Sequence, residues 1–293
     1  VTDGNPIITD VYTSDPALLV HDGTAYLYTG HDEAPPDADR FVMRDWLCWS
    51  SSDLRSWTPH GPLLRVDDFA WARDGAKASC VVERHGRFWW YLAVNHATVP
   101  GGAIAVAVAD HPTGPFRDAL GRALITNDVP DDDGRDHTID PWVLVHEGQA
   151  YLYWGKHRCF TARLDDTMTA LAGPVTEIEL PGFAEGAHVH ARDGWCYLSY
   201  GVGHPQRVAY ARSRGPEGPW TVEGIVNEVP GNCATNRPCI VAFHGEWIFF
   251  YHNGVLPGGG NHRRSVCADR LSYDADGRIE RVRMTGEGLL GSG

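Results

Sequence analysis

The stretch at residues 137–155, HTIDPWVLVHEGQAYLYWG, opens on a carboxylate at Asp140. It then runs through an apolar strand, turns at Glu147 and Gly148, and closes on an aromatic strand. A charged residue followed by glycine, set between β-branched and aromatic runs, is a hairpin signal, because the central turn positions need positive φ. The pattern recurs four times: DPALLVHDGTAYLYTG at 15–30, KASCVVERHGRFWWYL at 77–92, EGAHVHARDGWCYLSYG at 185–201 and NRPCIVAFHGEWIFFY at 236–251. Each copy opens on a polar residue, Asp15, Lys77, Asp140, Glu185 or Asn236, eight or nine positions before its turn glycine.

Most copies are followed by a second, weaker strand pair, with strands such as those at residues 47–57, 103–110, 208–213 and 265–273. About four strands in each of five units of roughly 45 to 65 residues predict an all-β chain folded as a five-bladed β-propeller. The expectation is a single catalytic domain over residues 1–293. The innermost strand of each blade lines the axis of such a fold. The five opening residues, far apart in sequence, would then converge on one pocket.

The connecting segments are polar. Residues 32–40, DEAPPDADR, predict a loop between strands, and residues 59–76 a longer loop containing Phe69 and Trp71. The acidic run NDVPDDDGRD at 127–136 lacks the alternating acid spacing of an EF-hand and predicts a solvated turn. Asp274 to Gly277 predicts a further hairpin turn, and no helix of useful length is expected.

With 25 Lys and Arg against 38 Asp and Glu, the net charge is -13. That balance argues against nucleic acid as a partner, which needs a basic footprint. No apolar run approaches the ~18 residues of a membrane helix. The seven cysteines are odd in number and lack C-x-x-C spacing. Neither a disulfide framework nor a zinc site is expected, and Cys233 with Cys239 is the one pair to check. The chain starts at Val1 without a signal peptide, which suits a secreted protein after processing and a cytoplasmic one equally.

Three of the five opening residues, Asp15, Asp140 and Glu185, are carboxylic acids. A glycosidase needs one acid to protonate the leaving oxygen and one carboxylate to act as base or nucleophile. A third carboxylate nearby raises the proton affinity of the acid, because like charges disfavour ionisation. Taken singly, Asp15 before Pro16 and Asp140 before Pro141 also suit strand-start turns, and Glu185 before Gly186 an exposed loop.

The chain resembles glycoside hydrolase family 43, a family of five-bladed propellers. The motifs that carry the resemblance are SDPA at 14–17, TIDP at 138–141 and EG at 185–186, in that order and at blade spacing. Residues 5–33, the tryptophans 46 and 57 with their SSSDL run, and HRRSVCADRLSYDADG at 262–277 are most similar to its arabinoxylan arabinofuranohydrolase and β-xylosidase branch.

The resemblance implies inversion, with Asp15 as general base, Glu185 as general acid and Asp140 tuning and orienting Glu185. Inversion implies a carboxyl separation of roughly 6.5–9.5 Å, and an acid whose pKa is raised towards neutrality. It places Arg264 near the base, as a substrate contact or a blade-closing ion pair. It implies no required cofactor, and a structural calcium ion held through His262 and waters unless that histidine is purely structural.

Asn236 would bond a sugar hydroxyl or cap a turn, and Trp71 would stack on a sugar ring or pack in the core. Lys77 is a departure, since relatives often carry an aromatic residue there. No appended carbohydrate-binding module is seen, which points to soluble oligosaccharides more than to insoluble polysaccharide. A monomer is expected.

The leading expectation is an exo-acting α-L-arabinofuranosidase. The alternatives are a β-xylosidase or another furanosidase, for example on galactofuranose. Two readings of other classes are a non-catalytic carbohydrate-binding propeller and a protein-interaction propeller.

Overall fold

The computed structural model describes residues 4–129 and 133–291. Their strands form five antiparallel blades in sequence order. Blade I holds β1 (Thr13–His21), β2 (Thr24–His31), β3 (Asp45–Ser51) and β4 (Thr58–Arg65). Blade II holds β5 (Ala72–Asp74), β6 (Ser79–Arg84), β7 (Arg87–His96), β8 (Gly102–Ala109), β9 (Arg117–Asp118) and β10 (Ile125–Thr126). Blade III holds β11 (Trp142–His146), β12 (Gln149–Trp154), β13 (Cys159–Arg163) and β14 (Thr176–Ile178). Blade IV holds β15 (Phe183–Arg192), β16 (Trp195–Val202), β17 (Arg207–Ser213) and β18 (Thr221–Asn227). Blade V holds β19 (Cys239–Phe243), β20 (Glu246–Asn253) and β21 (Ser265–Leu271). The fold is the five-bladed β-propeller that the repeats predict.

The five quoted stretches form the first hairpin of each blade. Each turns on a residue pair with positive φ: Asp22–Gly23, His85–Gly86, Glu147–Gly148, Asp193–Gly194 and His244–Gly245. Two consecutive left-handed residues match the right-handed twist of the flanking strands. The first strands of the hairpins, β1, β6, β11, β15 and β19, meet one another around the axis.

Neighbouring blades are latched by tyrosines. Five residues past the turn glycine, Tyr28, Tyr91 and Tyr153 each donate Oη to a carbonyl of the next blade, at Pro112 (2.6 Å), Met168 (2.8 Å) and Pro216 (2.6 Å). Tyr197 does the same to Gly277, at 2.6 Å. A buried phenol needs such a partner, and here it ties one sheet to the next.

The ring closes through the N-terminal segment. Ile7 N–H donates to Val266 O and Thr13 N–H to Arg264 O, both at 2.9 Å, so the segment runs beside β21 in the three-stranded blade V. The Asn5 side chain donates to Ala268 O (3.1 Å) and Thr285 O (2.9 Å) and accepts from Ala268 N–H (2.8 Å).

The long loop expected at 59–76 is mostly structured. It holds β4, a short 3₁₀ turn at Val66–Asp68, and β5. Pro59, Gly61 and Pro62 hide the strand pattern of β4. An outer edge strand tolerates them because its free side needs no ladder donors, and its pairing with β3 shifts register twice. Asp274 to Gly277 does form a turn, closed by Gly277 N–H to Asp274 O at 3.0 Å. Residues 130–132 of the acidic run lie outside the described residues, as does Val1. All seven cysteines are buried free thiols, Cys233 and Cys239 included. Among the described residues no helix is long and apolar enough to cross a membrane.

Candidate active site

The inner strands do not run straight into the axis. β1 carries an irregularity between Ser14 and Ala17, and β15 carries one on either side of Glu185. Asp15 and Asp140 sit at φ +52° and +57°, and Gly186 at +75°. All three stand eight residues before their turn glycine. A left-handed residue there breaks the in-out alternation of the strand and re-aims the neighbouring side chain, as bulges do. At an aspartate it costs about 1–3 kcal/mol, which the surrounding packing must over-determine.

The result is one cavity of about 1060 Å³ whose walls come from all five blades, and Asp15, Asp140 and Glu185 all line it. The carboxyl of Asp15 is buried beside Arg264, whose Nη1 lies 3.3 Å from Oδ1. Arg264 is itself gripped by Asp32, through Nε to Oδ2 at 2.8 Å and Nη2 to Oδ1 at 3.0 Å. Ser14 Oγ donates to Asp32 Oδ1 at 3.1 Å. The backbone N–H of Asp15 donates to His252 Nδ1 at 3.2 Å. That nitrogen must therefore be unprotonated, and Nε2 donates to Thr235 Oγ1 at 3.0 Å. Burial acts to raise the Asp15 carboxyl. The opposing charges, Arg264 foremost, outweigh it and hold Asp15 below the ordinary carboxylate value. Asp15 is built to be ionised.

Asp140 has the opposite balance. Burial pushes its carboxyl up to about 7, against the pull of Arg237, and the charges of Glu185 and Asp15 add to the rise. Arg237 Nη1 stands 2.9 Å from Asp140 Oδ1. Its Nη2 donates to Pro141 O at 3.2 Å and to Ser79 O at 3.4 Å, so the guanidinium is pinned between blades II and III.

Glu185 is half-buried at the cavity wall. Gln206 Nε2 donates to its Oε1 at 2.9 Å, while Gln206 Oε1 accepts from Asn236 N–H at 2.9 Å. These two bonds fix which end of the Gln206 amide meets the carboxyl.

The remaining expected residues divide. Arg264, Asn236 and Lys77 line the cavity. The Asn236 amide Nδ2 turns outward to Asn227 Oδ1 at 3.1 Å. Lys77 Nζ donates to Asn95 Oδ1 at 2.7 Å. Burial lowers the pKa of that ammonium, opposed by Asp136 and Asp140.

Trp71 is not brought to the cavity. Its indole N–H is spent on Asp118 Oδ2 at 3.0 Å, and its ring packs on Phe69 and His96, so it serves blade II. Phe41 is an exposed phenyl ring that does line the cavity.

His262 does not line the cavity either. Its Nδ1 meets Ala38 O at 3.1 Å, and its ring lies edge-on to Phe41. Calcium wants six to eight oxygen ligands. Among the described residues His262 has one such oxygen beside it, the Ala38 carbonyl.

Sequence reading missed Arg237, Asp32, Gln206, His252 and Phe41. Only Arg237 had a usable signal. Arg237–Pro238 stands eight residues before Gly245, the place held by Asp15–Pro16 and Asp140–Pro141 before their own turns. The sequence pattern singles out Asn236, one residue earlier.

Comparison with known proteins agrees with this geometry. The profile of glycosyl hydrolases family 43 matches residues 4–279, and the chain belongs to that family. It is 29% identical to the xylosidase/arabinosidase 43A of Humicola insolens, over 94% of this chain and 98% of that protein. It is 28% identical to an arabinoxylan arabinofuranohydrolase of Paenibacillus polymyxa, over 96% of this chain but only 52% of that longer protein. Among solved structures it is similar to a β-xylosidase/α-arabinofuranosidase from a compost microbial metagenome, in complex with xylotriose and in a calcium-free form. That likeness has a TM-score of 0.85 and 29% identity, and covers 96% of this chain and 97% of the other.

Proposed function

We propose that this family 43 glycosidase is an exo-acting, inverting enzyme that removes terminal α-L-arabinofuranosyl units from arabinoxylan-type oligosaccharides, its five blades acting as one catalytic domain. The observation that carries the reading is the contrast between two buried carboxyls in one cavity. Asp15 is held below the ordinary carboxylate value beside Arg264, and Asp140 is lifted to about 7. Carboxyls pushed apart in proton affinity divide base from acid chemistry.

In this reading ionised Asp15 takes a proton from water. The water oxygen bonds to the anomeric carbon from the face opposite the leaving group. The glycosidic C–O bond breaks as Glu185 gives its proton to the leaving oxygen. Asp140, itself lifted to about 7, stands near Glu185 and orients it. Arg237 holds Asp140 in place, and Gln206 holds Glu185. An inverting water needs the Asp15 and Glu185 carboxyls roughly 6.5–9.5 Å apart. Arg264, Lys77 and Asn236 offer polar contacts to the sugar, and Phe41 an apolar face.

β-Xylosidase activity is the second reading. It is favoured by the paired xylosidase and arabinosidase names of the Humicola relative and the compost enzyme. Nitrophenyl α-L-arabinofuranoside and nitrophenyl β-D-xylopyranoside separate the two. Faster turnover of the first supports the leading reading, and faster turnover of the second replaces it. Turnover of neither overturns both.

A further inference from the structure

Two lysines face the cavity; the hydrolysis described above uses Lys77 only as a polar contact to the sugar and gives Lys156 no part. Lys77 stands just ahead of β6 and Lys156 just past β12, and both line the walls. The backbone of Lys156 bridges to that of Glu185, which puts this lysine beside the acid. The Lys77 ammonium is braced by Asn95, which in turn donates to Asp74. The Lys156 ammonium has no hydrogen bond or ion pair among the described residues.

The acids whose charges reach Lys77, namely Asp136, Asp140 and Asp74, each have other partners too. Asp140 is paired with Arg237 and Asp74 with Arg73, while an Asp136 oxygen accepts the Gly102 N–H at 2.9 Å. The charge of Lys156 adds to the lowering of the Lys77 pKa that burial causes, so the two ammonium groups feel each other.

The cavity also reverses the sign of the chain. Its walls hold six Lys and Arg against four Asp and Glu, whereas the whole protein carries 25 against 38. A neutral pentose asks for hydroxyl partners and gives no return for a surplus of cations. Half-buried like charges are costly unless an anion comes between them.

We propose that Lys77 and Lys156 form a subsite for a carboxylate, so that the favoured substrates are pentose-containing oligosaccharides bearing a uronic acid substituent beside the scissile unit. The inference rests on the pentosidase reading above and names the substrate class of the same cavity. With one Lys77 N–H given to Asn95, the two ammonium groups leave up to five N–H donors, enough to bind both oxygens of one carboxylate.

The test is kcat/KM on a matched pair of arabinoxylo-oligosaccharides, with and without a glucuronic acid substituent on the neighbouring xylose. It is run on wild type, Lys77→Met and Lys156→Met, at low and high salt. The ratio is taken within each variant, so a general loss of rate cancels, and Lys156→Gln substitutes if the methionine variant fails to fold. Wild type should favour the acidic member about tenfold, with the preference shrinking in salt and falling to near one in both variants. A wild-type ratio of one or less overturns the subsite, and so does a ratio that survives both substitutions. If wild type turns over neither oligosaccharide nor a neutral nitrophenyl pentoside, the pentosidase reading fails instead. Calorimetric titration with the same pair then tests the subsite alone: tighter binding of the acidic member supports it, and equal binding overturns it.

Discussion

Arg237 and Asp140 occupy the same position in their repeats, eight residues before Gly245 and Gly148, and their side chains meet across the axis at 2.9 Å. One repeat position therefore supplies both an acid and its counter-charge. Replacing Arg237 by Met leaves Asp140 buried without its paired cation. Above neutral pH, where Asp140 must ionise, the fold should lose about 3–5 kcal/mol. At pH 5 the loss should be smaller, because the carboxyl can stay protonated. Thermal melts at pH 5 and pH 8 check this, and a loss that does not grow with pH would contradict the pairing.

Asp140 also sets a pH dependence. Its folded pKa, about 7, lies above the ordinary aspartate value of 3.8, so the folded state holds an extra proton between the two. Stability from this group is therefore present at low pH and is lost as pH rises towards 7. Asp140→Asn removes that slope, and Tm of the variant minus Tm of wild type should rise from pH 4 to pH 8. A difference in Tm that is flat with pH would refute the linkage.

Asp15 has the opposite sign. Its folded pKa is depressed, so its contribution to stability is full above the ordinary carboxylate value and is lost as pH falls through the folded one. Asp15→Asn should cost more stability at pH 6 than at pH 3. In kinetics it should remove hydrolysis by about 10²–10⁴-fold, the usual range for a general base.

Gln206 reaches the reaction only through Glu185. Gln206→Leu takes away the donor to Oε1 and loosens the carboxyl. The expected result is a kcat lowered about tenfold with KM little changed, because misplacement costs the transition state more than the ground state. A change confined to KM would mean that Gln206 binds sugar directly.

The tyrosine latches make a prediction away from the site. Tyr91→Phe leaves the Met168 carbonyl without its partner in a buried setting. It should cost about 1–2 kcal/mol in denaturant unfolding and leave kcat/KM on a nitrophenyl pentoside as in wild type.

The blade architecture was legible because a hairpin turn needs two residues with positive φ, and residue–glycine pairs advertise this five times over. The three acids were legible because Asp15 and Asp140 stand eight residues, and Glu185 nine, before their turn glycines. What the sequence hid follows from geometry of another kind. β4 was obscured by prolines that only an edge strand accepts. Asp32 acts across blades on Arg264, and Gln206 acts on Glu185 from the turn before β17 of the same blade; nothing near either residue in sequence points to its partner. Trp71 looked like a sugar platform by residue type alone, but its indole N–H finds Asp118 on the outer side of blade II. Phe41, at the end of a proline-rich polar loop, gave no periodic signal at all.

The central claim is that Glu185 protonates the leaving oxygen. It is tested most directly by comparing Glu185→Gln with wild type on two substrates of the same sugar, an arabinoxylo-oligosaccharide and a dinitrophenyl glycoside whose leaving group needs no proton. The account predicts a loss of about 10²–10⁴-fold on the oligosaccharide and most of the activity retained on the dinitrophenyl glycoside. An equal loss on both, or no loss on the oligosaccharide, would contradict it.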